Sequence, residues 1–351
     1  MKTEILKVDE NNIDIDKIRY AASVLRDGGL VAFPTETVYG LGANALNEKA
    51  LLKIFEAKGR PSDNPLIVHI GDKKEAYNLT EHIFDYALKL MDEFWPGPLT
   101  LVAKKTSSVP YSVTAGLDTV ALRMPKDKIA LSLIREAGLP VAAPSANLSG
   151  RPSPTTAKHV IDDLNGKVDV IIEGGSANIG LESTVLDITV FPPMILRPGG
   201  IFKEQLQNLL GEVNIDPSLI EKSTGHFIPK SPGMKYRHYA PEADLIVIEG
   251  ELLNVAGKIN ALVEEYKKKG LSVGVLSTDQ TQNLYSKVKV LSLGSRLEPE
   301  TIAANLFKAL RDFDEMGVQV ILAEAIEDKG IGLAIMNRLK KAAGYKIVHI
   351  S

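Results

Sequence analysis

The sequence of 351 residues contains no cysteine and only one tryptophan. The absence of cysteine excludes disulfides, thiolate nucleophiles, zinc–thiolate centres and iron–sulfur clusters, and it is typical of a reducing cytosol or a hot environment. No stretch reaches the ~18 apolar residues that a membrane-spanning helix requires, and residues 1–10 lack the apolar core of a signal peptide. We therefore expect a cytoplasmic protein without a membrane contact.

An excess of charge of one sign is also absent. The chain carries 41 Lys and Arg against 44 Asp and Glu, which gives a net charge of −3. No global charge therefore draws the protein to nucleic acid, and any polyanion site must be local. With 44% apolar residues the chain can bury substantial cores. Its length exceeds the ~250 to 300 residues at which single cores usually stop growing, so we expect two domains.

Several catalytic signatures are missing as well. The sequence has no GxSxG, no HExxH and no GxxxxGKS, and its second half has no GxGxxG after the first predicted strand. Hydrolysis by a triad or by zinc is therefore disfavoured, and neither a P-loop nor a dinucleotide site is predicted. Chemistry by positioning and charge neutralisation, as in phosphoryl and nucleotidyl transfer, is the class that remains.

The spacing of apolar residues predicts alternating helices and short strands over residues 1–210. The predicted helices are 15–27, 48–56 and 84–94, and the predicted strands are 30–33, 66–70, 99–103, 120–124, 141–144, 168–173, 185–188 and 194–197. So many strands among relatively few helices indicate an α/β fold with a mixed, twisted open sheet and helices.

Periodicity is lost over residues 211–243, which contain four prolines and several charges. We interpret this segment as a linker between a domain of residues 1–210 and a second domain of residues 244–351. In the second domain the pattern predicts strands at 245–248, 272–276, 289–293, 319–323 and 345–350, helices at 252–268, 299–316 and 333–343, and a short helix or turn near residue 283. In the helix 299–316, a single buried stripe is predicted by residues at spacings of four, four and three: Ile302, Leu306, Leu310 and Phe313. The alternation of strands and helices is typical of a small parallel α/β, Rossmann-like domain.

Polar residues follow several of the predicted strands, at the place where open α/β sheets bind ligands. Thr35 and Thr37 follow the strand 30–33, and Ser145, Asn147 and Ser149 follow the strand 141–144. Hydroxyl and backbone N–H groups in such turns can hold phosphates, although they can equally satisfy the backbone of the turn itself.

Five cations lie at predicted strand ends or turns of this slightly acidic chain: Lys58, Arg60, Arg123, Arg151 and Arg197. Two of them have a purely structural alternative, since Lys58 can neutralise a helix C-terminus and Arg123 can pair with Asp118 or another structural carboxylate. A strand histidine such as His69 is more often a core residue than a ligand. Taken together, however, the cations predict a pocket for a polyanion.

Seven motifs in order resemble those of the YrdC-like threonylcarbamoyl-AMP synthases. They are Pro34-Thr35-Glu36-Thr37-Val38-Tyr39-Gly40-Leu41, Lys58-x-Arg60-Pro61, Asn64-Pro65-Leu66, Trp95-Pro96-Gly97-Pro98-Leu99-Thr100, Pro144-Ser145-Ala146-Asn147, Glu182-Ser183-Thr184 and Arg197-Pro198-Gly199. The segments 232–241 and 330–338 resemble the longer, two-domain form of that family. The resemblance therefore covers nearly the whole chain.

The resemblance implies that the protein makes threonylcarbamoyl-AMP and pyrophosphate from L-threonine, bicarbonate and ATP, for the threonylcarbamoyladenosine modification of tRNA. Carried onto this sequence, it implies that threonine is bound by Thr37, His69, Arg123 and Ser183. It implies that ATP is bound by Lys58, Arg60, Asn64, Thr119, Ser145, Asn147, Ser153 and Arg197, with Tyr236 and His238 of the linker closing over it as a lid. Lys58 and Arg60 would act in catalysis, and Mg²⁺ would arrive with ATP rather than occupy a protein site of its own.

The resemblance also implies that a separate tRNA transferase receives the product. A weak direct contact with RNA is a further expectation. Two other functions stay open at this point: an RNA-binding module with a concave basic surface, and a transferase that uses carbamoyl phosphate. The absence of an aromatic-rich strand disfavours the RNA-binding module. Release of pyrophosphate that depends on threonine and bicarbonate would separate the three.

Overall fold

The computed structural model describes residues 2–219 and 239–350, which divide into two compact units. The first unit consists of residues 2–149 and 153–219, and the second of residues 150–152 and 239–350. Most of the predicted linker lies outside the described residues, so the predicted domain boundaries stay predictions. Within the described ranges, every helix is too short or too polar to cross a bilayer.

The first unit combines strands and helices throughout. Its strands are β1 (Glu4–Lys7), β2 (Val31–Phe33), β3 (Gly40–Asn44), β4 (Ile67–His69), β5 (Leu99–Lys104), β6 (Thr119–Arg123), β7 (Val141–Ala142), β8 (Val170–Glu173), β9 (Thr184–Asp187), β10 (Met194–Arg197) and β11 (Asn214–Ile215). Its helices are α1 (Ile15–Arg26), α2 (Glu48–Lys58), α3 (Ala76–Leu79), α4 (Asp85–Phe94), α5 (Tyr111–Thr114), α6 (Lys128–Ala137), α7 (Ala157–Leu164) and α8 (Lys203–Leu210).

These strands form one mixed sheet in the order β1-β8-β2-β3-β7-β4-β6-β5-β9-β10-β11. In its centre, β4 runs parallel to β6, β6 antiparallel to β5, and β5 parallel to β9. The predicted mixed sheet is therefore confirmed. Strand β11 falls inside the predicted linker, where it extends the sheet by pairing with β10.

Polar caps and glycines set the ends of the helices that matter for the site. Asn47 caps α2 by accepting hydrogen bonds from the amides of residues 49 and 50 at 3.0 and 3.2 Å. The helix stops at Gly59, whose φ of 62° is left-handed and costs glycine little. Lys58 therefore occupies the last turn of α2, and Arg60 lies beyond the helix.

The side chains of the first sheet alternate between two apolar cores. Leu41, Val68 and Leu122 belong to one core, together with α2 and α4. Val31 and Phe33 belong to the other, together with α1 and α6. Because successive strand residues point to opposite faces, this double covering holds the strands rigidly and fixes where their ends lie.

The second unit contains β12 (Asp244–Glu249), α9 (Leu252–Lys268), β13 (Val273–Ser277), β14 (Lys289–Ser292), α10 (Pro299–Glu315), β15 (Val320–Glu324), α11 (Ile331–Ala342) and β16 (Ile347–His349). Its sheet has the order β14-β13-β15-β12-β16, and all neighbouring strands run parallel. The predicted parallel α/β domain is therefore confirmed. Helix α10 buries the predicted stripe of Ile302, Leu306, Leu310 and Phe313.

A buried polar network lies at the end of β15 in this unit. Glu324 accepts hydrogen bonds from Tyr285 Oη at 2.5 Å and from Arg296 Nη2 at 2.8 Å. Burial and the hydrogen bond to Glu324 raise the pKa of Tyr285. The buried carboxylate is therefore matched by a cation and by donors, as burial of a charge requires.

Candidate active site

Arg123 ends strand β6 and is only 4% exposed. Its Nη1 donates to Thr37 Oγ1 at 2.9 Å and its Nε to the Gly97 carbonyl at 3.2 Å. Its Nη2 lies 2.8 Å from Glu36 Oε1 in a buried ion pair. The sequence offered Asp118 or another structural carboxylate as the partner of Arg123. Asp118 instead accepts from the exposed Tyr111 hydroxyl at 3.0 Å, and the carboxylate beside Arg123 is that of Glu36.

His69 lies opposite Arg123 in the register of β4 and β6. Burial, with the positive charge of Arg123 adding to it, lowers the pKa of His69 to about 3, so the imidazole is neutral near pH 7. Its Nδ1 is buried and has no hydrogen-bond partner among the described residues. The neutral ring can therefore exchange a hydrogen bond with a ligand without adding charge.

Arg197 at the end of β10 lies beside Ser183. Its Nη2 donates to Ser183 Oγ and its Nε to the Ser183 carbonyl, both at 3.1 Å. The Ser183 hydroxyl also lies 2.8 Å from Thr100 Oγ1. Since Arg123 donates to Gly97, three residues before Thr100, the short segment 97–100 connects both arginines. The structure thus places Ser183 beside Arg197, and residues 97–100 make contacts with both Arg123 and Ser183.

Lys58 organises the turn that follows β7. Its buried ammonium donates to the carbonyls of Ser145 and Asn147, the latter at 2.7 Å. The turn is further tied to the Thr35–Tyr39 loop, because Ala146 N donates to the Tyr39 carbonyl at 2.8 Å. Lys58, Ser145, Asn147 and Thr37 are therefore joined into one region of the first unit.

Asn64 and Arg60 lie on the loop after α2. The Arg60 Nη2 atom is 3.4 Å from the Asn64 carbonyl, and its guanidinium carbon lies 5.6 Å from the centre of the Phe55 ring. Asn64 is 1% exposed, and within residues 2–219 and 239–350 its amide Nδ2 and Oδ1 find no hydrogen-bond partner. A buried amide without partners costs about 1–3 kcal/mol, so these atoms indicate a place for a polar ligand.

The remaining predicted residues are placed differently. Ser153 is buried and donates to Glu182 Oε1 at 2.5 Å, next to Ser183. Thr119 starts β6, four residues before Arg123, and pairs with Lys104 of β5. Because side chains alternate between the two faces of a strand, Thr119 and Arg123 lie on the same face. Four residues of extended chain separate them by about 13 Å, so the structure does not bring these two into contact. Tyr236 and His238 lie outside the described residues.

Two acids at the site, the buried Glu36 and the half-buried Asp127, were not named as site residues from the sequence. Glu36 neutralises Arg123, and Asp127 caps α6 by accepting from Ala130 N at 2.8 Å. Burial raises the pKa of Asp127 to about 6, and the charge of Glu36 adds to the rise. The signal for Glu36 was present, because a buried arginine needs an anion and Glu36 adjoins Thr37 in the first motif.

The buried, neutral His69 makes stability depend on pH. An unfolded histidine has a pKa of about 6.5, whereas the folded pKa is about 3, so the unfolded state binds the extra proton between these values. His69 should therefore lower the free energy of unfolding by about 2 kcal/mol from pH 7 to pH 5. Asp127 acts in the opposite direction, because its raised pKa favours the folded state as pH falls through 6.

The His69→Gln variant isolates this effect in urea unfolding at pH 7 and pH 5. Relative to the variant, the free energy of unfolding of wild type should fall by about 2 kcal/mol from pH 7 to pH 5. If the difference in free energy of unfolding between wild type and His69→Gln is the same at pH 7 and pH 5, His69 takes up its proton in the folded protein as it does in the unfolded one, and the proposed burial effect is wrong.

No group of three or more His, Asp or Glu side chains that could hold a metal ion occurs in the described part of the chain. The acids nearest to the site are already engaged, Glu36 with Arg123 and Glu182 with Ser153. Mg²⁺ that arrives with ATP, without a protein site of its own, stays a prediction.

Comparison with known proteins agrees with this geometry. Residues 23–199 match the Sua5, YciO and YrdC family described as "Telomere recombination", and residues 201–344 match the C-terminal domain of threonylcarbamoyl-AMP synthase. A threonylcarbamoyl-AMP synthase from Pyrococcus abyssi is 53% identical over 99% of this chain and 100% of its own length. The one from Bacillus subtilis is 52% identical over 97% of this chain and 96% of its own length.

A solved structure extends the likeness to three dimensions. The crystal structure of P. abyssi Sua5 complexed with L-threonine superposes with a TM-score of 0.94 at 53% identity, covering 99% of this chain and 100% of that one. The chain belongs to the threonylcarbamoyl-AMP synthase family.

Proposed function

We propose that the protein condenses L-threonine, bicarbonate and ATP into threonylcarbamoyl-AMP and pyrophosphate. The observation that carries this proposal is the connection of Arg123 and Arg197 through Ser183 and residues 97–100. Arg123 would bind the threonine carboxylate, and Arg197 would bind a phosphate of ATP. The L-threonine complex of P. abyssi Sua5 supports the amino acid as a substrate.

Threonine would lie against Arg123, His69, Thr37 and Ser183. The guanidinium has five N–H donors, and Gly97, Thr37 and Glu36 each lie against one of its nitrogens, so it would bind the substrate carboxylate with the remaining donors. Neutral His69 can bond the substrate without repelling its ammonium group before that group loses a proton. The two hydroxyls would select for a small polar amino acid.

ATP would place its phosphates near Arg60, Asn64 and Arg197. Lys58 would act by holding the carbonyls of Ser145 and Asn147, so that the N–H and hydroxyl groups of this turn face the nucleotide. Ser153 and Thr119 would bind other parts of the nucleotide.

The reaction needs no nucleophile from the protein. The threonine nitrogen attacks the carbon of bicarbonate and water leaves, which gives an N-carboxylate. An oxygen of this carboxylate attacks the α-phosphorus of ATP, and the bond to the β-phosphate oxygen breaks to release pyrophosphate. The protein aligns the two oxygens and offsets the growing negative charge with Arg60 and Arg197.

Mg²⁺, bound with ATP, would supply additional neutralisation of the phosphates. The product is a mixed anhydride that water hydrolyses readily, so a tRNA transferase must take it up for threonylcarbamoyladenosine synthesis. The cytoplasmic location and a weak contact with RNA stay predictions.

The test is a measurement of pyrophosphate from ATP with each substrate omitted in turn. We expect release to require both threonine and bicarbonate, and serine in place of threonine to support it weakly. Release that requires neither would contradict the proposal. Transfer from carbamoyl phosphate without ATP cleavage would favour the carbamoyl-phosphate transferase instead.

A further inference from the structure

The buried ion pair of Glu36 and Arg123 contains polar atoms that make no hydrogen bond. Glu36 Oε1 and Arg123 Nη2 lie 2.8 Å apart, yet within the described ranges neither atom makes a hydrogen bond, so the pair is close without being aligned for one. The second oxygen of this carboxylate, Oε2, is also buried and without a hydrogen-bond partner there. Acceptors of a carboxylate and a donor of a guanidinium therefore lie side by side with bonding capacity to spare.

These atoms indicate the form of a ligand. The side chain of Glu36 is 10% exposed and that of Arg123 is 4% exposed, and buried charged groups are costly unless hydrogen bonds satisfy them. A group that satisfies both must bring a donor to Glu36 and an acceptor to Arg123, next to each other. The zwitterion of an α-amino acid has this form, because its ammonium and carboxylate groups are bonded to the same carbon atom.

A turn around Thr35 holds Glu36 in place. Thr35 Oγ1 donates to the Val38 carbonyl at 2.6 Å, and it accepts from the backbone amides of Thr37 and Val38 at 3.2 and 3.3 Å. The Glu36 carbonyl accepts from Ile179 N at 2.9 Å. The backbone around Glu36 is therefore tied on both sides, which preorganises the carboxylate for a ligand.

The charges around Glu36 also suit a zwitterion. Glu36 and Arg123 together carry no net charge, and His69 is neutral because burial lowers its pKa to about 3. Arg123 alone would attract the carboxylate of an amino acid but repel the ammonium group beside it. Asp127 interacts with Glu36 and adds negative charge above pH 7, since burial, with the charge of Glu36 adding to it, raises the pKa of Asp127 to about 6.

We propose that Glu36 is a catalytic residue that binds the ammonium group of threonine and accepts a proton from it. With the threonine carboxylate on Arg123, the nitrogen lies at Glu36. Its N–H bond breaks and the proton moves to the Glu36 carboxylate, which leaves an amine with a free lone pair.

This amine attacks the carbon of bicarbonate, water leaves and the N-carboxylate forms. The proton stays on Glu36 until the product departs and then passes to solvent. The inference rests on the proposed function, and it supplies the base that the reaction needs, because a protonated nitrogen has no lone pair for attack.

The first test is calorimetric titration of wild type and Glu36→Gln with threonine and with 3-hydroxybutyrate, which has the carboxylate and hydroxyl of threonine but no ammonium group. We expect the substitution to weaken threonine binding by at least about tenfold and 3-hydroxybutyrate binding by less than about threefold. Equal losses for the two ligands would show that Glu36 acts only by holding Arg123, and the proposal would be overturned.

The second test is the dependence of kcat/KM for threonine on pH. Without the carboxylate, threonine must lose its proton to water, so the value for Glu36→Gln should be about 10²- to 10⁴-fold below wild type at pH 7.5 and rise about tenfold by pH 8.5. Wild type should change little, because Arg123, His69 and Asp127, which face Glu36, keep their charge over this range. A loss of the same size at both pH values would overturn the proton transfer.

Two further variants separate this role from damage to the fold. Glu36→Asp keeps a charge beside Arg123 but withdraws it by one methylene, so kcat should fall by at least about tenfold. If Glu36→Gln does not fold, this variant carries the test, and an unchanged kcat would overturn the proposal.

Asp187→Asn is the matched control. It makes the same change from carboxylate to amide at another buried acid of the first unit, which accepts from Thr189 N at 2.9 Å and has no proposed role in the site. It should change the affinity for threonine by less than about twofold. A loss equal to that of Glu36→Gln would mean general damage, and the proposal would fail.

Separate readouts of binding and turnover keep this inference apart from the proposed function. If wild type binds threonine more tightly than Glu36→Gln but releases no pyrophosphate, the proposed reaction is wrong and the contact of Glu36 with the ammonium group stands. If wild type releases pyrophosphate with threonine and Glu36→Gln matches it in binding and rate, the role of Glu36 alone is wrong.

Discussion

Arg123→Met is expected to abolish threonine-dependent pyrophosphate release, by at least about a hundredfold, because it removes the cation that faces the substrate carboxylate. The same change should lower the free energy of unfolding by about 3–5 kcal/mol, since it leaves Glu36 as a buried carboxylate without its partner. Steady-state rates and urea unfolding at pH 7.5 measure the two effects on one preparation.

The double variant Arg123→Met/Glu36→Gln separates binding from stability. Removing both charges of the buried pair should restore most of the lost stability, because no unpaired charge remains. Activity should stay as low as in the single variant. If the double variant recovered threonine-dependent turnover, Arg123 would be a structural residue, and the assignment of the threonine carboxylate would be wrong.

Arg60→Ala should lower kcat by about 10²- to 10³-fold, in the range found when one preorganised donor to a charged transition state is removed. It should change the free energy of unfolding by less than ~1 kcal/mol, because Arg60 lies beyond the end of α2 on a partly exposed loop. Cooperative thermal unfolding, followed by circular dichroism, should therefore be retained while ATP consumption with threonine is lost.

Arg135→Ala is a matched control for this experiment. Arg135 also lies near a helix end and donates to one backbone carbonyl, that of Gly71, at 3.0 Å, and no role in the site is proposed for it. It should lose little activity. Equal losses in the two variants would show that Arg60 acts on folding or on overall charge rather than on the phosphates.

The sequence was sufficient for the architecture where local patterns are strong. The stripe of α10 and the parallel strands of the second unit were predicted within a few residues, because apolar spacing reports burial directly. Strands β1, β3 and β11 were not predicted. Strands β1 and β11 are short and lie at the sheet edges, and β3 contains two glycines, which weaken a strand pattern. Helix α6 was also not predicted, although Asp127 as a cap and buried residues at helical spacing were visible signals.

The site was predictable as a list of residues but not as a set of contacts. The motifs indicated Arg123, Ser183 and Arg197 as site residues. The contacts of Arg123 and Ser183 with residues 97–100, however, depend on the order of β6, β5, β9 and β10 in the sheet. The pairing of Arg123 with Glu36 joins residues far apart in sequence, so local periodicity carries no information about it.

Mass spectrometry of the product made with ¹³C-bicarbonate tests most directly whether one cavity joins all three substrates. We expect an adenylate that contains threonine and one ¹³C atom in its carbamoyl group, formed in equal amount with pyrophosphate. A labelled adenylate without threonine, threonyl adenylate without the label, or ADP with phosphate would contradict it.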